Sequence, residues 1–161
     1  MEKVKVLFVC KGNICRSPSA EAIFKKLIQA EGLEKDIKVD SAGTHGYHTG
    51  EASDSRMRSH AEKRGYVLDT LARKFNSSQD FDEFDYILTM DKFNFEHLMQ
   101  LTEGQDEKDK IHSMCRFCEE HRETEVPDPY YEGPEGFEKV LNILEDATLG
   151  LLKHIKANHL K

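Results

Sequence analysis

The first apolar run of the chain, V-K-V-L-F-V at Val4 to Val9, is short and nearly continuous. That is the pattern of a strand buried on both faces. Further strand-like runs stand at Ile37 to Asp40 and Tyr86 to Met90, with a weaker one near Lys110 to Met114. Helical spacing appears between and after them. In Pro18 to Ala30, Ile23 and Leu27, with Phe24 and Ile28, make two apolar pairs one turn apart, and Gly32 follows as a cap. The segment Ser53 to Arg64 has Asp54 near its start and Gly65 just beyond its end. The last helix, Phe137 to about Asn158, carries Phe137, Leu141, Leu144, Thr148, Leu151 and Ile155 at three- and four-residue spacing. Strands alternating with helices predict an α/β fold: a single domain over residues 1–161, with a mostly parallel sheet flanked by helices. No repeat, low-complexity tract or second domain stands out. The polar stretches Glu103 to Asp109 and Glu119 to Glu125 read as solvated loops or helix ends.

Composition narrows the function classes. A chain of 161 residues buries roughly two thirds of its unfolded surface and needs no covalent staples. Its four cysteines are too few for a disulfide scaffold. No apolar run approaches the roughly 20 residues of a membrane span, and the opening M-E-K-V carries no secretory pattern. The expectation is a cytoplasmic monomer with free thiols. Thirty acidic against 23 basic residues give a net charge of −7, which argues against a broad nucleic-acid surface. Any bound anion must meet a local basic site.

Such a site is written between the first strand and the first helix, where Cys10 to Ser17 read C-K-G-N-I-C-R-S. In open α/β sheets, ligands bind beyond the carboxyl ends of the strands. A loop entering a helix there offers unpaired backbone N–H groups and the positive end of the helix dipole. Gly12 and Asn13 are residue types that accept positive φ, as a wrapped loop requires. Pro18 suits the first helical turn, since its missing N–H is not needed there. Arg16 supplies a planar fork for two phosphate oxygens. The ATP-type pattern G-x-x-x-x-G-K-[ST] is absent. Helix N-termini and arginines favour the thiolate of a cysteine, the form that attacks, and Cys10 has both beside it. Ser17 can donate a further hydrogen bond to that sulfur, so a phosphocysteine intermediate is the expected chemistry.

Read as C-x5-R-S, the stretch closely resembles the signature of the low-molecular-weight protein tyrosine phosphatases. The resemblance continues through D-S-A-G-T (Asp40 to Thr44), Ala72-Arg73, F-D-Y-I-L-T-M-D (Phe84 to Asp91) and P-D-P-Y-Y (Pro127 to Tyr131). It implies a four-stranded parallel sheet flanked by helices and a metal-free, cofactor-free phosphatase acting on phosphotyrosine proteins. It further implies Cys10 as nucleophile, Arg16 as phosphate clamp and Asp128 as general acid, with Asn13, Ser17 and Ser41 supporting the loop. Lys11, Gly12, Ile14 and Cys15 would complete the phosphate site. Tyr47, Tyr130 and Tyr131 would wall a cleft suited to a flat aryl phosphate. Cys15 would form a reducible bridge with an oxidised Cys10. Three positions carry a choice. Many members have a histidine where Thr70 stands, buttressing the loop asparagine, and the Thr70 hydroxyl is expected to take over that bond. Lys11 replaces a residue that is often apolar and adds positive charge at the cleft. Ile14 resembles the tyrosine-directed members, whereas the phosphoarginine-directed bacterial branch tends to carry threonine there.

His112, Cys115, Cys118 and His121 form H-x2-C-x2-C-x2-H, which has the ligand types for zinc. Steps of three residues drift around a helix axis, so four such ligands would not converge. A pair of surface thiols is the reading preferred over a metal site. Two alternatives to the phosphatase remain: a thioredoxin-coupled arsenate reductase of the same fold, and a non-catalytic phosphate-binding module. The resemblance places the reductase's extra cysteines near Tyr86 to Asp91, where this chain has none. The intact Cys10, Arg16 and Asp128 set weighs against the module.

Overall fold

A computed structural model describes residues 3–160 of the chain. Four strands, β1 (Val4–Cys10), β2 (Ile37–Gly43), β3 (Tyr86–Thr89) and β4 (Ile111–Ser113), form one parallel sheet in the order β2-β1-β3-β4. The chain turns one way from β1 to β2 and the other way to β3. The carboxyl ends of β1 and β3 therefore flank the crevice where such sheets hold ligands. Register ties Cys10 to Gly43 on one side and Val9 to Thr89 on the other.

The nearly unbroken apolar run of β1 is explained by its two covered faces. Val4, Val6, Phe8 and Cys10 point into a core shared with α1 (Arg16–Ala30), α2 (Ser55–Glu62) and α6 (Pro134–His159). Leu7 and Val9 point the other way, onto Ala42, Phe75, Phe81, Ile87 and Leu98. Leu98 comes from α4 (Lys92–Leu101), whose bounds the sequence pattern does not mark, while two short turns, α3 (Asp80–Glu83) and α5 (Gln105–Lys108), complete that side. The stripe on the last helix is buried at every expected position, Phe137, Leu141, Leu144, Thr148, Leu151 and Ile155. Each large apolar side chain so covered is worth about 1.5–3 kcal/mol. Glycines end two helices as the sequence implies, with φ of +70° at Gly32 and +85° at Gly65.

The second cysteine pair departs from expectation. Cys115 is buried on a 3-10 turn, Met114–Phe117, and Cys118 is half-buried against the same core, so these are not surface thiols. The influence of each thiol on the other holds Cys115 below and Cys118 above the usual thiol range, and Cys118 Sγ donates to the Ile143 carbonyl at 4.0 Å. His112 instead bonds Arg116 at 2.7 Å, and the His121 N–H bonds Asp146 at 2.8 Å. Among the described residues no group of three or more ligand side chains is gathered, and no helix is long and apolar enough to cross a membrane.

The 3-10 turn lies directly on α6 at Gly150. A β-carbon there would stand 1.9 Å from the Phe117 carbonyl oxygen, a backbone atom that cannot move aside alone. Glycine within a helix ordinarily costs about 1 kcal/mol relative to alanine, so the close approach explains its presence. Gly150→Ala is expected to lower stability by about 1–3 kcal/mol, as overpacking does; chemical denaturation measures this, and an unchanged or raised midpoint would show that the turn does not seat on Gly150.

Candidate functional site

The connection from Cys10 to Arg16 is wrapped so that its carbonyls point into the protein and its amides do not. Thr44 N–H donates to Cys10 O at 2.8 Å, His45 N–H to Lys11 O at 3.0 Å, and Asp54 N–H to Ile14 O at 2.9 Å. Cys15 O accepts from Ser19 N–H and, at 2.6 Å, from the Ser19 hydroxyl. Among the described residues, the backbone N–H groups of Gly12 to Ser17 donate to no protein acceptor. The first amides of α1 thus continue a run of free donors that begins in the loop, an anion cradle backed by the helix dipole.

Two residues make the wrap possible. Asn13 takes the left-handed conformation, φ 59°, which asparagine tolerates better than most residues. Gly12 does not share it, contrary to the sequence reading. Its lack of a side chain matters instead because a β-carbon would lie 3.1 Å from the His48 ring. The tighter requirement is at Gly43, where a β-carbon would meet Lys11 O at 2.7 Å. Only glycine lets the end of β2 seat the loop this closely.

Behind the loop runs a chain of buried polar groups with one direction. Arg73 N–H donates to Asn13 Oδ1 at 3.0 Å, which turns the Asn13 amide nitrogen toward Ser17 Oγ (2.7 Å) and Ser41 Oγ (3.0 Å). Ser41 passes its own proton to Glu21 Oε1 at 2.6 Å. Ser17, already accepting from Asn13, has its one proton between Cys10 Sγ at 3.0 Å and the Ala42 carbonyl at 3.3 Å. Glu21, only 2% exposed, is satisfied by Ser41, by Thr70 at 3.3 Å and by Lys25. A buried carboxylate lacking such partners would be strongly destabilising. Thr70 therefore joins this network one step away from Asn13, and the expected Thr70 to Asn13 bond is replaced by the Arg73 amide.

Arg16, 2% exposed, links the loop to the carboxyl end of the neighbouring strand β3. Its Nη1 donates to Asp91 at 2.6 Å and to Val126 O at 3.0 Å, and its Nη2 lies 3.8 Å from Asp128 Oδ2. Burial opposes the guanidinium charge, but Cys10, Asp91 and Asp128 outweigh it and hold the pKa above its usual value. With Nη1 engaged by Asp91 and Val126, Arg16 still lines the cleft. Asp91 does double duty, since it also caps α4 through Asn94 N–H at 2.9 Å.

The cleft has a volume of about 300 Å³ and is lined by Cys10, Lys11, Gly12, Ile14, Cys15, Arg16, Tyr47, His48, Asp128, Tyr130 and Tyr131. The structure thus gathers the sequence-predicted lining residues, while Asn13, Ser17 and Ser41 stand behind the loop. Asp128 is exposed at the mouth and accepts from Tyr130 N–H at 3.1 Å. Tyr130 rests under Arg56, 5.2 Å from its ring centroid, and Asp54 pairs with Arg56 while capping α2. Burial alone would raise the Asp54 carboxyl, but its bonds to Arg56 and to the Met57 amide hold it below its usual range. Burial pushes the Cys15 thiol well above its usual range, with Asp54 and Cys10 adding to the effect.

Sequence reading did not single out Glu21, Asp91, Gly43, His48, Arg56 or the Arg73 amide. Glu21 did carry a signal: it falls one turn after Ser17 on the stripe that continues to Phe24 and Ile28, where an acid is out of place. Asp91 carried another, as an aspartate directly after a strand-like run.

Known proteins share this fold. The family model for low molecular weight phosphotyrosine protein phosphatase matches residues 5–161. A low molecular weight protein-tyrosine-phosphatase of Bacillus subtilis is 39% identical over 153 residues, which cover 95% of this chain and 96% of that protein. The crystal structure of a protein tyrosine phosphatase from Entamoeba histolytica, with Hepes in its active site, superimposes with a TM-score of 0.93 at 48% identity, covering 96% of this chain and 98% of that one. A Drosophila arginine phosphatase superimposes with a TM-score of 0.89 at 32% identity, covering 96% and 99%. A family match over nearly the whole length, on a four-stranded parallel sheet, places this chain in the low-molecular-weight protein tyrosine phosphatases, hydrolases whose family name implies phosphoprotein substrates.

Proposed function

We propose that the protein hydrolyses phosphotyrosine in proteins through a phosphocysteine on Cys10. The observation that carries this reading is the loop itself: backbone amides from Gly12 to Ser17 are without a protein acceptor beside a cleft lined by Cys10 and Arg16. Three phosphoryl oxygens held there would leave phosphorus exposed to Cys10 from one side and the ester oxygen directed at the mouth, where Asp128 stands. The sulfur attacks phosphorus as the P–O bond to tyrosine breaks, and protonated Asp128 gives its proton to the departing phenolate. Asp128, now a carboxylate, takes a proton from water as that water attacks phosphocysteine, releasing phosphate and the Cys10 thiolate. Arg16 and the amides hold charge on the equatorial oxygens in both steps. Tyr47, Tyr130 and Tyr131 supply apolar walls for an aryl group.

Hydrolysis of phosphoarginine is the second reading, favoured by the likeness to the Drosophila arginine phosphatase. Ile14 and the aromatic walls support the aryl ester instead. The test compares phosphotyrosine and phosphoarginine peptides in EDTA with reductant. Turnover of phosphotyrosine that is lost in Cys10→Ser is expected; activity abolished by chelation, or confined to phosphoarginine, would overturn the proposal.

Asp128→Ala is expected to lower kcat by roughly 10²- to 10⁴-fold on phosphotyrosine, the usual worth of a positioned general acid. The loss should be smaller on p-nitrophenyl phosphate, whose phenolate leaves with little help. Equal losses on both substrates would assign Asp128 a structural role.

Cys15 suits a protective role, because burial keeps it a neutral thiol and so a poor target for direct oxidation. Peroxide converts Cys10 to a sulfenic acid, and the Cys15 thiol condenses with it to give a disulfide and water. After peroxide and then dithiothreitol, the parent should regain most activity and Cys15→Ser much less. Equal recovery, or a bridge from Cys10 to Cys115 or Cys118 in peptide mapping, would remove this role.

A further inference from the structure

One wall of the cleft is cationic although the chain as a whole carries a net charge of −7. His45 stacks on Tyr47 with ring centroids 5.2 Å apart, and the His97 ring from α4 lies 5.3 Å from His45. The His45 amide is held by the Lys11 carbonyl at 3.0 Å. Lys74 runs alongside, its Cδ 3.6 Å from where a β-carbon on Gly46 would stand. Lys11 and Tyr47 also line the cleft, so this wall continues the site without a break. Burial first, then the neighbouring His97, Lys11 and Lys74, all lower the His45 pKa, and no acid offsets them. Among the described residues acids pair with Lys5, Lys25, Lys38, Lys92, Lys153 and Lys156, and with neither Lys11 nor Lys74. Elsewhere on the lining Asp128 lies beside Tyr130, and Arg56, paired with Asp54, covers the Tyr130 ring.

We propose that the wall formed by Lys11, His45, Lys74 and His97 is a subsite for an acidic side chain flanking the phosphotyrosine, so that the enzyme selects acidic phosphopeptides. The proposal rests on the phosphotyrosine reading above and deepens it. An extended peptide advances about 3.3 Å per residue, so a carboxylate within one to three positions of the phosphotyrosine reaches this wall. The lysines are without ion-pair partners in the free protein, so an arriving carboxylate displaces no existing pair. Each such exposed pair is worth little, but a carboxylate facing both lysines adds their effects.

The experiment uses three phosphotyrosine peptides of one core sequence, flanked by alanines, by aspartates on the amino side, or by aspartates on the carboxyl side, with p-nitrophenyl phosphate as a flank-free control. One aspartate flank is expected to raise kcat/KM over the alanine peptide by about three- to tenfold, mainly through KM, with the advantage shrinking as salt is added. Lys74→Glu should abolish or invert that preference and His97→Ala should weaken it, both leaving p-nitrophenyl phosphate hydrolysis unchanged. Equal kcat/KM for the three peptides, or a preference that survives Lys74→Glu, overturns the subsite. If the alanine peptide itself is not turned over, the phosphotyrosine reading fails and takes the subsite with it, an outcome distinct from equal rates.

Discussion

The site depends on the direction of the peptide groups between Cys10 and Ser17. Their carbonyls are bonded into the protein by Thr44, His45, Asp54 and Ser19, while the amides from Gly12 to Ser17 are left free. Donors left without a protein partner stabilise the fold less than paired ones, since an unmade hydrogen bond forfeits its net contribution. The fold overcomes this with contacts elsewhere: the left-handed Asn13, the bare Gly43 and the directed chain from Arg73 through Asn13 to Ser41 and Glu21. The cradle is thereby formed before any phosphate arrives, which is the condition for electrostatic preorganisation.

Arg16 extends that order across the molecule. A buried guanidinium is tolerated only when paired and hydrogen-bonded, and its partners Asp91 and Val126 lie at the end of β3 and at the start of the acid-bearing segment. Val126 N–H in turn bonds Met90 O at 2.7 Å. The segment carrying Asp128 is therefore tied to the residue proposed as the phosphate clamp, so the groups proposed as nucleophile and acid share one anchor. Strand order explains why this works: β1 and β3 are adjacent, and both of their carboxyl ends open on the crevice.

Much of this was legible in the sequence, for physical reasons. The two-sided burial of β1 leaves a continuous apolar run, the long stripe of α6 has a clear period, and the loop between Cys10 and Ser17 collects residue types that few other structures need together. What stayed hidden depends on tertiary approach. Gly43 and Gly150 look like ordinary glycines until Lys11 O and Phe117 O are seen against them. Glu21 and Asp91 are two acids among 30, distinguished only by the donors that folding brings to them. Thr70 bonds Glu21 rather than Asn13 because the Arg73 amide already occupies the asparagine oxygen. Cys115 was misplaced on the surface because polar neighbours on either side mask a 3-10 turn packed onto α6.

The most direct test of the preformed cradle over Cys10 is to trap the intermediate. Asp128→Ala retains the loop and Arg16 but lacks the group that would activate water, so acid quenching shortly after mixing with p-nitrophenyl phosphate should catch the covalent enzyme. Peptide mass mapping is expected to find the phosphoryl group on Cys10 and to find Cys15, Cys115 and Cys118 unmodified. A phosphoryl group on any other residue, or its absence while p-nitrophenol is still released in a first-turnover burst, would contradict the placement of the reacting phosphorus above the Cys10 sulfur.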